Sequence, residues 1–290
     1  MTKIKVIGIS TCGRSAINRC IKNKLDNIEY LVIDTDPSTI KTSTFAGKSF
    51  ILKDATEIQT HFKESLLSFI EDTDILFLIA GLGGNTRAEI LEHVSKLANE
   101  KGILTINLIT TPLAKDTDYN LEKAEEDNNR LNKLLKNNCI LNSDKFYINF
   151  KKYLRKGDSI KQIYEYVNEV IYRIILSFAD SQDCMMRVET GNFKKVFNCD
   201  GEIWFGIGMA SGENKGINAT KIALGKEKLN ANGVFISIRG GESLCIHDTC
   251  DAATTLNNNI NDDAKIIVST VVDESMPKDD LEVIVLATGC

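Results

Sequence analysis

The sequence has few of the residues that build metal sites. Its 290 residues contain three histidines, and its eight cysteines include no CxxC pair. The two nearest cysteines, Cys245 and Cys250, flank His247, but a structural zinc site needs four converging ligands. We therefore expect no metal at these residues and reduced thiols that pack as small apolar side chains.

Basic charge and long hydrophobic runs are also scarce. The formal net charge is −5 and no basic cluster stands out, which disfavours nucleic acid as the main partner. No eighteen apolar residues occur together, and the N-terminus enters a strand without a charged and apolar leader. These absences predict a cytoplasmic protein that does not insert into a membrane.

What is present is an ordinary globular composition, 43% hydrophobic and 26% charged, which suits one large or two medium domains. In the first half, stretches with helical spacing separate four apolar, strand-like runs: KIKVIGI, EYLVIDTD, DILFLIAGLGG and ILTINLITTP. This alternation predicts a doubly wound, parallel α/β sheet that binds ligands at the carboxyl ends of its strands.

The second half begins with SIKQIYEYVNEVIYRIILSF, which predicts a long and largely buried helix between two domains. The strand-like and helical segments after it indicate a second α/β unit. We predict a first domain at residues 1–157, a central helix at residues 158–180 and a smaller C-terminal α/β domain at residues 181–290.

The turn GISTCGRSA has two glycines of a dinucleotide-binding fingerprint. Gly8 and Gly13 stand at the first and third glycine positions, and Asp34 lies at the distance of the ribose-binding acid. Ser10, however, replaces the glycine that lets the backbone approach a pyrophosphate. A tight turn from strand to helix explains the same residues and is the favoured interpretation.

The turn IAGLGGNTRAE, residues 79–89, is the better candidate for a phosphate cradle. Gly81, Gly83 and Gly84 free the backbone amides, and Thr86 offers a hydroxyl at the start of a helix, where anions bind. A helix capped by Asn85 or Thr86 explains this turn equally well.

Several motifs taken together resemble the tubulin/FtsZ family. The sharpest are DTDILFLIAGLGGNT, GIGMASGENKG and VIVLATG, and the resemblance is collinear from about Lys3 to Cys290. It implies a Rossmann-like GTPase domain joined by a long central helix to a smaller domain. It also implies GTP or GDP as ligand, with Mg²⁺ only where GTP is bound, and head-to-tail association with itself or with an FtsZ-type filament.

The resemblance assigns nucleotide contacts to individual residues. Asp116 matches the ribose acid, Tyr164 the ring that stacks on the base, Glu169 the acid that contacts guanine and Ser15 the base-side asparagine of the first loop. The phosphate side retains four glycines and a threonine at Gly13, Gly81, Gly83, Gly84 and Thr86.

Departures from the family concentrate on the phosphate side. The glycine-rich first loop is replaced by STCGR, whose Thr11, Cys12 and Arg14 side chains would occupy space that phosphate usually fills. Arg87 and Glu89 stand where later glycines of the signature belong, and the loop that senses the terminal phosphate has no visible counterpart. The phosphate site is therefore expected to be degenerate.

The catalytic loop differs as well. The family's Asn, Asp and Asp match Arg187, Glu189 and Asn192 in MRVETGNF, and an asparagine cannot accept the proton of an attacking water. Glu189 is a partial replacement, but the favoured interpretation is a plain connection that carries interface residues. The sequence stops at Cys290, so the usual C-terminal adaptor-binding tail is expected to be absent.

These features predict a self-associating, FtsZ-like cytoskeletal or cell-division protein with weakened or lost GTP binding and little or no hydrolysis, in effect a pseudo-GTPase. Two alternatives remain open. One is an active, polymerising GTPase that holds phosphate with Arg14 or Arg87 and positions water with Glu189. The other is a metabolic α/β enzyme that binds a dinucleotide, with Asp34 on the ribose.

Overall fold

The computed structural model describes most of the chain. The described residues are 2–25, 27–37, 48–60, 62–83, 86–112, 117–135, 138–141, 159–182, 188–197, 202–225 and 228–289. The chain divides into two compact units, an N-terminal unit of residues 2–175 and a C-terminal unit of residues 176–290.

The N-terminal unit alternates strands and helices. Its elements are β1 Ile4–Ile9, α1 Ser10–Lys22, β2 Glu29–Asp34, β3 Lys48–Ile51, α2 Glu57–Thr60, α3 Lys63–Ile70, β4 Ile75–Gly81, α4 Arg87–Glu100, β5 Leu104–Thr110, α5 Asp118–Leu134 and β6 Asn138–Leu141. The long helix α6, Ile160–Asp180, starts in this unit and ends in the next. The three-part domain division drawn from the sequence stays a prediction.

The strands of the N-terminal unit form a parallel sheet in the order β3-β2-β1-β4-β5-β6. Every residue of β1, β4 and β5 is buried, as expected of strands covered on both faces. The strand order reverses at β1 and β4, where α/β sheets of this kind bind their ligands. The predicted doubly wound α/β fold is confirmed.

The C-terminal unit is built around a mixed sheet. Its elements after α6 are α7 Thr190–Val196, β7 Glu202–Ser211, α8 Lys215–Leu224, β8 Gly233–Gly240, α9 Ile246–Asn257, β9 Lys265–Val272 and β10 Asp280–Thr288. The strand order is β7-β10-β8-β9, in which β10 is antiparallel to β7 and β8, and β9 is parallel to β8.

Helix α7 corrects one expectation from the sequence. The stretch containing Asn192 was expected to be a plain connection, but residues 190–196 are helical. Phe193 and Phe197, one turn apart, are fully buried with Phe178 and Phe235. The ring centroids of Phe178 lie 4.8 Å from Phe193 and 4.9 Å from Phe235, so aromatic packing stabilises the helix.

Across the described parts of the chain, no helix is long and apolar enough to cross a membrane.

Candidate functional site

The turn between β1 and α1 is closed by two glycines in contact. A Cβ atom on Gly8 would lie 2.6 Å from the carbonyl carbon of Gly13, and a Cβ on Gly13 would lie 2.4 Å from Cα of Gly8. Both glycines are therefore required for the helix to approach the strand. Helix α1 follows β1 directly, and its first residue, Ser10, has a φ of 62°.

Cys12 fills the space between α1 and the ends of β4 and β5. Its Sγ lies 3.3 Å from Oγ1 of Thr110, within hydrogen-bonding distance. A Cβ on Gly81 would lie 3.3 Å from Cβ of Cys12, so the cysteine side chain packs against this glycine. Burial raises the pKa of the Cys12 thiol, while the Thr110 hydrogen bond and the charge of Arg87 lower it in part. The thiol is thus held neutral at this edge of the sheet.

The glycine-rich turn after β4 packs against the start of α5. Gly83 has a φ of 88°, and a Cβ there would lie 2.9 Å from the carbonyl oxygen of Asn120 and 3.1 Å from the Pro112 ring. Thr86 is the N-cap residue of α4, but its side chain makes no capping hydrogen bond. Gly84 and Asn85 lie outside the described residues. Gly83 thus has a structural role as the point of close approach within the turn.

The candidate guanine-contacting acid, Glu169, is held by two arginines. Its Oε2 accepts a hydrogen bond of 2.6 Å from Nε of Arg19, and its Oε1 accepts one of 2.8 Å from Nε of Arg173. Nη2 of Arg19 also forms an ion pair with Oε2. Arg19 comes from α1 and Arg173 lies one turn along α6 from the acid, so both carboxylate oxygens are engaged within the N-terminal unit.

Two other candidate base-side residues, Ser15 and Tyr164, lie on helices of the N-terminal unit. Ser15 is partly buried on α1, one turn before Arg19. Tyr164 lies in the first turns of α6 and is 45% exposed. The candidate ribose acid, Asp116, lies outside the described residues.

Asp34, the ribose acid of the dinucleotide alternative, closes its own turn. It is 2% exposed, and its Oδ1 accepts hydrogen bonds from the backbone amides of Thr35 at 2.8 Å and Asp36 at 3.3 Å. This geometry is an Asx turn at the end of β2.

The candidate catalytic residues belong to the C-terminal unit. Glu189 is the N-cap residue of α7, is exposed and makes no side-chain capping hydrogen bond. Asn192 is exposed in the first turn of the helix. Arg187 lies outside the described residues. Among the described side chains, no group of three or more His, Cys, Asp or Glu is placed to hold a metal ion.

Sequence reasoning missed the two arginines that hold Glu169. One signal was available, because Glu169 and Arg173 have the four-residue spacing of a helical ion pair. Arg19 had no such signal, since it lies 150 residues from its partner. Only the fold brings these two helices together.

Comparisons with known proteins cover both units. Residues 201–290 match the family model described as FtsZ family, C-terminal domain. The chain is 26% identical, over an alignment 307 positions long, to the cell division protein FtsZ of Buchnera aphidicola subsp. Baizongia pistaciae, and the alignment covers 99% of this chain and 78% of that protein.

Solved structures with low sequence identity share the fold. An empty FtsZ dimer from M. jannaschii gives a TM-score of 0.88 at 21% identity, covering 100% of this chain and 88% of that one. CetZ2 from Haloferax volcanii, in a protofilament bound to GTPgS, gives 0.79 at 14% identity, covering 99% and 93%. The likeness therefore extends over both units of the chain.

Proposed function

Because the chain belongs to the tubulin/FtsZ family, we propose that it is a self-associating cytoskeletal protein of cell division that binds GTP or GDP weakly or not at all. The proposal includes little or no GTP hydrolysis. The protein would share the fold and the self-association of its relatives, but its nucleotide binding would be weakened or lost.

The main support for the proposal is the hydrogen bonding of the Glu169 carboxylate. An acid that reads guanine must offer its two oxygens to the N1 and N2 donors of the base, as the family resemblance implies. Here each oxygen already accepts a charge-assisted hydrogen bond, from Arg19 and from Arg173. A guanine would have to compete with these arginines for the carboxylate, and any arginine interaction lost in this competition would weaken its binding.

The phosphate side supports the same conclusion. Cys12 packs against Gly81 and hydrogen-bonds Thr110 at the strand ends where phosphate would bind. A neutral thiol offers one weak donor, whereas phosphate sites of this kind use several backbone amides. Together with the engaged Glu169, this arrangement does not fit GTP or Mg²⁺.

Calorimetry of the purified chain with GDP and GTP tests the proposal. We expect no saturable heat up to about 1 mM nucleotide, which corresponds to a binding free energy weaker than about −4 kcal/mol. Arg19→Met, which frees Oε2 of Glu169, should strengthen GDP binding. Lys161→Met removes an exposed ion pair with Glu165 on the same helix and should leave GDP binding unchanged. Micromolar binding of GDP by the unmodified chain would contradict the proposal.

The active-GTPase alternative has one observation in its favour. Glu189 is exposed and its side chain makes no capping hydrogen bond to α7, so its carboxylate is available to position a water. This alternative predicts GTP turnover that rises with protein concentration and falls in Glu189→Gln. Our proposal predicts little or no turnover by the unmodified chain and no dependence of that turnover on Glu189.

A further inference from the structure

Strand β9 is an unprotected edge of the C-terminal sheet. It is the last strand of the order β7-β10-β8-β9 and, among the described residues, pairs only with β8. Its sequence, KIIVSTVV, has one charge, at Lys265, and no proline. Soluble proteins usually protect such an edge with inward charges, proline or bulges. An edge of eight residues without these devices is suited to pairing with another strand.

A groove runs along part of this edge. Its volume is about 380 Å³, and its lining consists of Val188, Asn192, Lys195, Val196 and residues 265–268. Consecutive residues of a strand point to opposite faces. Because four consecutive residues of β9 line the groove, it follows the edge of the sheet as well as the face that α7 covers. The two charged residues in the lining of the groove are Lys195 and Lys265.

The centre of the strand carries a buried hydroxyl without a partner. Ser269 is 1% exposed, and its Oγ has no hydrogen-bond partner among the described residues. Leaving a buried hydroxyl without a partner is unfavourable, because the group loses its hydrogen bonds to water and gains none in return. Such a group in a native protein calls for an explanation. A strand added beside Ser269 would supply the missing hydrogen-bond partner.

We propose that two copies of this chain pair through β9, edge to edge and antiparallel, about a two-fold axis at Ser269. In this register, Lys265 lies opposite the partner's Asp273 and Ile266 lies opposite the partner's Val272. Ile267 lies opposite the partner's Val271, and the hydroxyl of Ser269 faces the partner's Ser269. The C-terminal strands of the two copies then form one continuous sheet.

Charge complementarity selects this register. Lys265 and Asp273 flank an uncharged segment of seven residues, so pairing about its centre brings opposite charges together at both ends. The groove beside Lys265 also contains Lys195, which adds to the attraction for the partner's Asp273. Although burial raises the pKa of Asp273, hydrogen bonds from Ser275 and Arg239 hold it below its ordinary value. Asp273 already forms an ion pair with Arg239 of its own chain, so the partner's Lys265 would join this pair as a second cation.

Burial and polarity favour a second copy over an unrelated acidic peptide. Val272 is 54% exposed and would be covered against the partner's Ile266. The added strand would also bring a hydroxyl beside Ser269, since residues directly opposite in an antiparallel pair lie on the same face with Cβ atoms about 5 Å apart. An acidic peptide would satisfy the lysines but carries no required hydroxyl at that position.

The contact is closed and needs no nucleotide. A two-fold pair uses the same surface on both copies and stops at the dimer, whereas head-to-tail association continues into filaments. Dimerisation through β9 is therefore independent of whether the chain binds nucleotide, and each proposal can be tested without the other.

Sedimentation of the full chain without nucleotide tests the pairing. Between about 1 and 200 µM we expect a monomer–dimer equilibrium, the range expected of a small interface. Val272→Lys places a charge opposite the partner's Ile266 and should weaken the dimer at least tenfold. Ile246→Lys changes an apolar residue that is 70% exposed on α9, away from the edge, and should leave dimerisation unchanged.

Hydrogen exchange supplies the readout that locates the contact. Peptides covering residues 265–272 should gain protection as the concentration of the unmodified chain rises, and this gain should disappear in Val272→Lys. Matching melting curves would show that the variant is folded. The proposal would be overturned by a chain that stays monomeric, by a dimer that Val272→Lys does not weaken, or by protection of β9 that requires an added acidic peptide.

Discussion

Ser10 is held in a backbone conformation that suits glycine. Its φ of 62° lies in the left-handed region, which costs a residue with a Cβ roughly 1–2 kcal/mol. Ser10→Gly should remove that cost. Glycine also has greater conformational freedom in the unfolded chain, which destabilises the folded state by about 0.4–1 kcal/mol. We expect a net gain of about 0.5–1 kcal/mol in the free energy of unfolding, measured by urea denaturation.

Asn214 provides the matched control for Ser10. It has a φ of 55°, but asparagine tolerates this region better than serine does. Asn214→Gly should therefore change the free energy of unfolding by less than about 0.5 kcal/mol. Equal gains in the two variants would show that the strain does not depend on the residue type at Ser10.

Cys20 is expected to make the stability fall at high pH. Burial raises the pKa of its thiol from 9.0 to about 12 in the folded chain. Between these values the unfolded chain releases the proton and the folded chain keeps it, so the free energy of unfolding decreases by up to about 1.4 kcal/mol per pH unit. Denaturation at about pH 8 and pH 10 should show a smaller decrease in Cys20→Ala than in the unmodified chain.

Cys245 tests whether this pH effect comes from burial. Its thiol is exposed, so Cys245→Ala should keep the full decrease of the unmodified chain. The explanation fails if Cys20→Ala and Cys245→Ala show the same dependence on pH.

At the residue scale, the sequence predicted the strand-to-helix turn at Gly13 but not the contacts of Glu169. Gly13 was recognised from its place in a strand-to-helix turn, and the structure shows it in close contact with Gly8. Glu169 was assigned from the family resemblance, and that role remains a prediction. Its bond to Arg19 could not be foreseen, because ion pairs between distant segments leave no periodic signal.

At the scale of elements, the motif GIGMASG has a packing explanation. Gly206 and Gly208 lie on β7, directly beneath α8, where a Cβ would come within 2.1 Å of the carbonyl oxygen of Ala223 and 2.0 Å of that of Ala219. The clash in each case is with helix backbone, which cannot rotate away. The two glycines therefore set the distance between α8 and the sheet.

Gly208→Ala should destabilise the C-terminal unit by about 2–4 kcal/mol, because the added methyl group forces α8 away from β7. The matched control is Gly191→Ala in α7, where an added Cβ meets nothing within 4 Å. That variant should be neutral or stabilising by up to about 1 kcal/mol, since alanine favours helix over glycine. Thermal denaturation followed by circular dichroism measures both, and equal effects would contradict the packing argument.

Element length decided how well the fold could be predicted. Strands β1, β4 and β5 are six or seven residues long and wholly buried, so their continuous apolar runs were clear. Strands β3 and β6 have four residues each and give too short a signal. Helix α7 was missed because Phe193 and Phe197 show only one turn of helical spacing, and its stability comes from packing on Phe178 and Phe235.

At the scale of the whole molecule, the proposed loss of nucleotide binding is compatible with an intact fold. The parallel sheet and its buried strands are intact, while Cys12 packs at the strand ends and Arg19 binds Glu169, positions that the proposal assigns to the nucleotide. Turns at the strand ends can change in this way because few core contacts depend on them. Loss of nucleotide binding therefore need not entail loss of assembly.

This separation predicts assemblies that do not respond to GTP. In light scattering, addition of about 1 mM GTP or GDP should leave the signal of the full chain unchanged, since a ligand at or below its dissociation constant contributes at most about 0.4 kcal/mol. Phosphate release should stay at the buffer background, because Asn192 cannot accept a proton from water. An active GTPase assayed in parallel verifies the phosphate measurement. Scattering that rises with GTP and decays as phosphate is released would show that assembly remains coupled to the nucleotide.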